Sequence, residues 1–210
     1  LYAYVALLLV FLTFGMETTF FRFANKEDEE PDTVFSTSFA VTAGLSAIFL
    51  TGILGFITPI SELMGYADHP EYIMVMATVV ALDAIQALPF CYLRYKKKAI
   101  KFASLKLLFI ALNIGLNLLY FVYLSKTDVL YVFMLNLACT GIITFFFLPE
   151  LTRIKWKVDF QLLGRMLSYS WPVLILGIAG ILNQAADKMI FPLIYPEKAQ
   201  GVVELGIYGA

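Results

Sequence analysis

Residues 34–60 read VFSTSFAVTAGLSAIFLTGILGFITPI and contain no ionisable side chain. About 20 apolar residues are enough to cross a hydrocarbon core of about 30 Å as an α-helix. Only a helix or a closed barrel satisfies its own backbone hydrogen bonds in lipid, and this run is too long for a barrel strand. The stretch therefore predicts a membrane-spanning helix.

The rest of the chain has the same character. Of its 210 residues, 60% are hydrophobic and 15% are charged, whereas roughly 25% of the residues of a soluble domain are charged. The net charge of −1 and the lack of a basic patch interleaved with aromatic residues argue against nucleic-acid binding. We therefore expect an all-α, polytopic membrane protein and exclude a soluble fold.

Six membrane spans and the start of a seventh are predicted. In chain order they are Leu1–Phe23, Val34–Thr58, Tyr72–Leu93, Phe102–Leu124, Val129–Leu148 and Trp171–Tyr195, and Leu205 opens the seventh. The longer connections are Ala24–Thr33, Pro59–Glu71, Arg94–Lys101 and Pro149–Ser170. Because Leu1 begins directly in a span and Ala210 falls where another begins, we expect an internal fragment of a longer protein.

The basic residues predict the orientation of the spans. Most of the 15 Lys and Arg residues lie in or beside loops 24–33, 94–101 and 149–170. Loops rich in Lys and Arg remain in the cytoplasm, and acidic residues contribute little to this rule. The pattern predicts that these three loops are cytoplasmic and that the Leu1 end lies outside.

The connection 149–170 differs from the others because apolar and charged residues alternate along it. Asp159 is a predicted N-cap of a short helix that places Phe160, Leu163 and Leu167 on one face. Such a helix would lie along the inner membrane surface, with Trp156 at head-group depth. The alternative is an ordinary linker that only connects two groups of spans.

The motifs of soluble enzymes are missing from the sequence, which has no GxxxxGK[ST], HExxH, GxSxG or CxxC pattern. The single histidine, His69, lies in an outside loop and is interpreted as a solvated residue. Cys91 and Cys139 fall inside apolar runs, which favours small core residues over a disulfide. We therefore predict no catalytic residue, no metal site and no enzyme activity.

Polar residues within the predicted spans are the remaining functional candidates. Placing a charged side chain at the centre of a membrane helix costs at least about 2.5–3.5 kcal/mol, so such a side chain must face protein or water. Asp83 and Gln86 share one face of span three, and Asn113 and Asn117 continue a polar stripe from Lys106 in span four. The substrate-cavity candidates are Glu17, Arg22, Asp83, Gln86, Asn113, Asn117, Asn183, Gln184, Asp187 and Lys188.

Several of these candidates have a structural alternative. Asn113 and Asn117 are also the residues expected to hydrogen-bond between neighbouring helices. Glu17 and Arg22 lie near a helix end, where such residues are often anchors. The carboxylate of Asp83 has the alternative of pairing with a group in the part of the protein that we expect beyond this fragment.

A weak internal repeat suggests two similar halves. Leu1-Tyr2-Ala3-Tyr4-Val5-Ala6 resembles Leu205-Gly206-Ile207-Tyr208-Gly209-Ala210, and each segment begins a span that heads inward. Repeats of one orientation are common in transporters.

Three segments together carry a resemblance to a known family. They are Val158-Asp159-Phe160-Gln161-Leu162-Leu163, Tyr169-Ser170-Trp171-Pro172 and Ala186-Asp187-Lys188-Met189-Ile190. They resemble the linker and seventh helix of bacterial polysaccharide transporters, the oligosaccharide flippases of the multidrug/oligosaccharidyl-lipid/polysaccharide exporter superfamily. Residues 15–23, GMETTFFRF, are similar to the end of the second helix of that family.

The resemblance implies two six-helix lobes around a central cavity that opens alternately to each side. On that map, residues 1–148 are an N-terminal lobe without its first helix, 149–170 are a cytoplasmic amphipathic linker, and 171–210 begin the C-terminal lobe. The implied cargo is a lipid-linked oligosaccharide, and the implied location is the bacterial cytoplasmic (inner) membrane. Family members often have arginine at the position of Lys188, so the charge is kept here but the bidentate fork is lost.

Three hypotheses follow, and the first is a flippase in which Lys188 and Arg22 contact the anionic diphosphate. Its expected partners are the lipid bilayer, the lipid-linked glycan and other glycan-assembly proteins, with a cation or proton coupled through Asp83, Glu17 or Asp187. The second hypothesis is an ion-coupled exporter of cationic drugs or metabolites. The third is a membrane-embedded glycosyltransferase or ligase, for which the outside loops offer only Glu62, Asp68, His69 and Glu71.

Overall fold

The computed structural model of the chain is helical. It describes residues 2–64, 66–123, 129–152, 154 and 156–194, with side-chain surroundings at 5–64, 66–122, 130–149, 151, 152, 154 and 156–183. The helices are α1 (Tyr2–Thr13), α2 (Met16–Ala24), α3 (Pro31–Gly55), α4 (Ile57–Leu63), α5 (Pro70–Tyr95), α6 (Ala99–Leu118), α7 (Val129–Leu151) and α8 (Phe160–Ile194), and a π-helical turn, Leu119–Tyr123, extends α6. No strand occurs within the described ranges.

Six helical segments are long and apolar enough to cross a membrane. They are Val5–Ala24, Pro31–Gly55, Pro70–Tyr95, Ala99–Val122, Leu130–Pro149 and Phe160–Asn183. The prediction of an all-α, polytopic membrane protein is therefore confirmed, with one segment for each of the six complete spans. The predicted seventh span from Leu205 and the second copy of the repeat lie outside the described residues.

Helix α5 is the central helix of the bundle and packs against α1, α3 and α7. Small residues of α5, Ala81 and Ala84, are fully buried and let α1 approach at Leu12. Near the opposite end of α5, Phe90 meets Phe147 of α7 edge to face, with 4.7 Å between ring centroids. Close approach through small residues and aromatic packing are the interactions that hold helices together in lipid, where the hydrophobic effect does not act between them.

The first span is not the single helix that the sequence predicts. It is interrupted between α1 and α2 by Phe14 and Gly15, which both have positive φ angles, 49° and 64°. The hydroxyl of Thr19, in the first turn of α2, donates a 2.9 Å hydrogen bond to the carbonyl of Gly15 and also pairs with the Ser170 hydroxyl of α8. Packing against α8 thus fixes a break that the hydropathy of the segment does not reveal.

The short surface helix predicted at 160–170 is not a separate element. Helix α8 continues without interruption from Phe160 through Trp171 to Ile194. Its buried face consists of Leu162, Met166, Ser170 and Leu174, which lie against span one. The predicted apolar face, Phe160, Leu163 and Leu167, instead lines an open apolar groove of about 570 Å³ beside α3.

The predicted helix start at Asp159 is confirmed. One oxygen of its carboxylate, Oδ1, accepts hydrogen bonds from the backbone N–H of Leu162 at 3.0 Å and of Gln161 at 2.8 Å. These two bonds hold the pKa of Asp159 below its usual range. They satisfy two of the backbone donors that the first turn of a helix leaves unpaired.

The second span has the predicted length but begins and ends three residues earlier, because α3 runs from Pro31 to Gly55 rather than from Val34 to Thr58. The chain turns at Phe56 and forms α4, which lies in the region expected to be the connection 59–71. Pro59 is accommodated in the first turns of this short helix, where no earlier carbonyl requires its missing N–H.

The three basic loops lie at one end of the bundle. Arg165 of α8 forms a 2.7 Å ion pair with Glu29 in the first loop. Lys96 in the third loop lies 3.6 Å from Asp32 at the start of α3. These contacts place loops 24–33, 94–101 and the start of α8 together, as the predicted orientation requires, while the side of the membrane that they face stays a prediction.

Substituting Gly15 with alanine is expected to destabilise the bundle. A Cβ at this position would lie 3.0 Å from Cγ1 of Val173, and the left-handed backbone itself costs a residue with a Cβ roughly 1–2 kcal/mol. The unfolding temperature of the detergent-solubilised protein should fall by several degrees. Gly52→Ala is the matched control, because its Cβ would meet nothing within 4 Å; an equal loss in both variants would contradict the interpretation.

Candidate functional site

A cavity of about 340 Å³ lies between span one, α5, α6 and α7. Two carboxylates and two cations line it, together with one amide and several apolar side chains. The charged and amide residues are Glu17, Asp83, Gln86, Arg94 and Lys106. The apolar wall includes Leu9, Phe90, Phe102, Phe109 and Ile143.

Asp83 and Gln86 share the cavity face of α5, as the sequence predicts. Gln86 is buried and donates hydrogen bonds through Nε2 to the carbonyl of Thr140 at 2.8 Å and to the hydroxyl of Thr144 at 2.7 Å. The hydroxyl of Thr140 is 3.4 Å from Oδ1 of Asp83, to which it donates. Two threonines of α7 therefore fix the amide and contact the carboxylate.

The carboxylates of the cavity are not neutralised by direct ion pairs. Glu17 is half-buried, and Oε2 accepts only a long contact of 3.5 Å from the thiol of Cys91. Among the residues that the structure describes, Glu17 and Asp83 have no basic group within 4 Å. Both acids remain available to a cation, a proton or a polar group of a cargo.

The two cations lie over aromatic rings instead of against the acids. Nζ of Lys106 is 4.0 Å from the centroid of the Phe90 ring, and Cζ of Arg94 is 5.3 Å from that of Phe21. Cation–π contacts of this kind stabilise a positive charge without neutralising it. The cavity therefore keeps two positive and two negative groups in an apolar surrounding.

Arg94, Lys106, Thr140 and Thr144 are missing from the predicted site. From the sequence, Arg94 is assigned to the third loop and Lys106 to its flank. In the structure α5 continues to Tyr95, and Arg94 therefore lines the cavity. The spacing of Lys106 to Asn113 already indicated a polar stripe in span four. Thr140 and Thr144 are four residues apart in span five and therefore share one helix face. This spacing is the sequence signal for their contacts, and a hydropathy scale does not detect it.

Asn113 and Asn117 do not line the cavity. Asn117 donates through Nδ2 to the carbonyl of Asn113 at 2.7 Å and to its side-chain oxygen at 3.2 Å. Asn113 in turn contacts Oδ1 of Asn136 on α7 at 3.4 Å. Asn113 thus joins α6 to α7, as the structural alternative expects, whereas these bonds of Asn117 stay within α6.

Arg22 also lies outside this cavity. Its guanidinium carbon is 4.1 Å from the centroid of the Tyr169 ring, on the side of span one that faces α8. Asn183 is exposed on α8. Gln184, Asp187 and Lys188 belong to the same helix, but their side chains lie outside the described surroundings.

The remaining sequence interpretations concern His69 and the cysteines. His69 is exposed, stacks on Tyr72 at 4.8 Å and approaches Glu71 through Nδ1 at 2.9 Å, as befits a loop residue. Cys91 and Cys139 are buried free thiols, as expected of small core residues. Within the described ranges, no cluster of three or more His, Cys, Asp or Glu residues could hold a metal ion.

Comparison with known proteins gives one match. A family model described as "Polysaccharide biosynthesis protein" matches residues 1–209. No curated protein and no solved structure matches the chain.

Replacing Asp83 with asparagine is expected to stabilise the protein. Asparagine keeps an oxygen for the Thr140 hydroxyl and removes an unpaired charge that costs about 2.5–3.5 kcal/mol at the centre of a membrane helix. The unfolding temperature in detergent should rise by several degrees. Asp32→Asn is the control and should lower it, because Asp32 accepts a 2.7 Å hydrogen bond from Tyr92 and pairs with Lys96; a fall for Asp83→Asn would show a structural role.

Proposed function

The chain belongs to the polysaccharide biosynthesis protein family, and from this premise we propose that it moves a lipid-linked oligosaccharide across the membrane by alternating access. The observation that carries the proposal is the cavity of Glu17, Asp83, Arg94 and Lys106 inside a bundle of membrane helices. A protein that only anchored other components would have no need for two carboxylates and two cations around one cavity between its membrane helices.

The composition of the cavity suits a cargo with anionic and hydroxyl groups. Lys106 and Arg94 supply positive charge to a diphosphate, and their aromatic contacts leave their N–H groups available as donors. Asp83 and Glu17 accept hydrogen bonds from sugar hydroxyls or bind the coupling cation or proton. Glu17, Asp83 and Gln86 are thus the members of the predicted set that we place in the path of the cargo.

The residues near the end of α8 complete this proposal. Lys188 is the candidate anion contact in the second half of the path, and Asn183 and Gln184 are candidate sugar ligands. Asp187 is a third candidate for coupling to a cation or proton. All four belong to the second half of α8.

We propose transport rather than catalysis. The candidate residues for a membrane-embedded glycosyltransferase are few, and two of them, His69 and Glu71, contact each other in an exposed position.

The exporter of cationic drugs is also less favoured. A cavity lined mainly by acids would suit a cationic drug, but two acids here are matched by two bases, and the family concerns polysaccharide biosynthesis.

The proposed location is the bacterial cytoplasmic (inner) membrane, with the Leu1 end outside. Loops 24–33, 94–101 and 149–170 would then face the cytoplasm. The ion pairs that gather these loops at one end of the bundle support this orientation. Other glycan-assembly proteins are proposed partners on that face.

Lys106→Gln in the full-length protein is expected to reduce glycan export at least tenfold. A hydrogen bond to a charged group contributes about 1.5–3 kcal/mol, which corresponds to a factor of about 10 to 100. Surface glycan is measured in cells that produce the variant at wild-type levels. Lys97→Gln, an exposed residue that does not line the cavity, should export normally; equal export by both variants would contradict the role of Lys106.

Lys188→Ala is expected to abolish export while leaving the protein folded, because it removes the proposed anion contact on α8. Lys188→Arg keeps the charge and should restore export. Surface glycan and elution of the purified protein from a sizing column are the two measurements. Unchanged export by folded Lys188→Ala would remove Lys188 from the path.

A further inference from the structure

A second polar site lies where α2 ends and α8 begins. It is an open groove of about 580 Å³, which we call the basic groove. Its lining residues are Arg22, Phe23, Lys26, Gly164, Arg165, Ser168 and Tyr169. Three of these are cations, and none of the described lining residues is acidic.

The basic groove is separate from the cavity described above. The two share no lining residue. Glu17 and Arg22 are five positions apart on α2, which places them about 140° apart around the helix axis. Span one therefore presents its carboxylate to α5 and its guanidinium to α8.

Aromatic rings orient two of the three cations. Arg22 lies over the ring of Tyr169 at 4.1 Å, and Nζ of Lys26 lies 4.3 Å from the centroid of Phe23. The two rings meet edge to face at 6.3 Å, so they form one platform. Within the described part of the chain, neither Arg22 nor Lys26 has an acidic group within 4 Å.

The third cation already holds an anion. Arg165 pairs at 2.7 Å with Oε1 of Glu29, whose side chain is 12% exposed. A carboxylate and a phosphate bind a guanidinium through the same pair of N–H donors. Glu29 thus shows what kind of group the basic groove accepts, and a phosphate would compete with it for Arg165.

We propose that the basic groove binds the phosphate groups of a lipid head group. It lies at the ends of two membrane helices, where head-group phosphates are present, and basic pockets between membrane helices bind such lipids elsewhere. Gly164 leaves open space on the floor of the groove, and the exposed hydroxyl of Ser168 adds a donor. With a membrane phospholipid as the ligand, the proposal goes beyond glycan transport; with a carrier diphosphate as the ligand, it deepens the proposed function and rests on it.

The test measures binding by the full-length protein in phosphatidylcholine nanodiscs. One arm titrates farnesyl diphosphate, a short diphosphate carried on an isoprenoid; the other adds cardiolipin and counts bound lipid by native mass spectrometry. Arg22→Gln, Arg165→Gln and Gly164→Leu should each weaken binding at least tenfold. Gly164→Leu fills the groove without removing a charge, and a Cβ there meets nothing within 4 Å.

Two further variants separate a binding role from a structural one. Glu29→Gln removes the competing carboxylate and should tighten binding several-fold. Lys157→Gln, an exposed basic residue that does not line the groove, should bind as the wild type does.

Loss of farnesyl diphosphate binding in the groove variants would identify a carrier-type diphosphate as the ligand, and loss of cardiolipin binding would identify a membrane phospholipid. Either result supports the proposal. If the wild type binds neither lipid, or if the three groove variants bind both as the wild type does, the proposal is overturned. These outcomes are independent of glycan export, so a failure of one proposal is distinguishable from a failure of the other.

Discussion

A carboxylate in the middle of a membrane helix cannot face lipid, and the arrangement of this bundle depends on that constraint. Asp83 lies in α5, which α1, α3 and α7 surround. Burying α5 turns its polar face toward α6 and α7, where Thr140 contacts both Asp83 and Gln86. The small residues Ala81 and Ala84 let α1 approach closely on another face, and the polar side of α5 borders the cavity.

The break in span one serves the same arrangement. Gly15 has a left-handed backbone, and a Cβ at this position would lie 3.0 Å from Cγ1 of Val173 in α8, which is tighter than an ordinary contact. The turn separates α1, which packs on α5, from α2, which carries Glu17 toward the cavity and Arg22 toward α8. Span one thereby contributes to two polar sites. The cavity contains both acidic and basic residues, whereas the lining of the basic groove has positive charges only.

Hydropathy was sufficient to predict the six spans of the described residues and their helical type, because the cost of burying polar groups in lipid acts on each segment separately. The shared face of Asp83 and Gln86 and the cap at Asp159 were also predictable, since they depend on helical spacing and local hydrogen bonds. The break at Phe14 and Gly15, the continuous α8 and the separation of Arg22 from Glu17 were not. These three features depend on contacts between segments that are distant in the sequence, such as Thr19 with Ser170 and Arg22 with Tyr169. Such contacts cannot be read from the sequence of one segment.

We propose that this family member moves a lipid-linked oligosaccharide from one leaflet to the other. The most direct measurement uses the purified full-length protein in proteoliposomes that carry a fluorescent lipid-linked oligosaccharide in the inner leaflet. If the protein moves this lipid, the glycan becomes accessible to an external glycosidase much faster than in protein-free vesicles. Equal rates in the two preparations, with the protein inserted and folded, would contradict it.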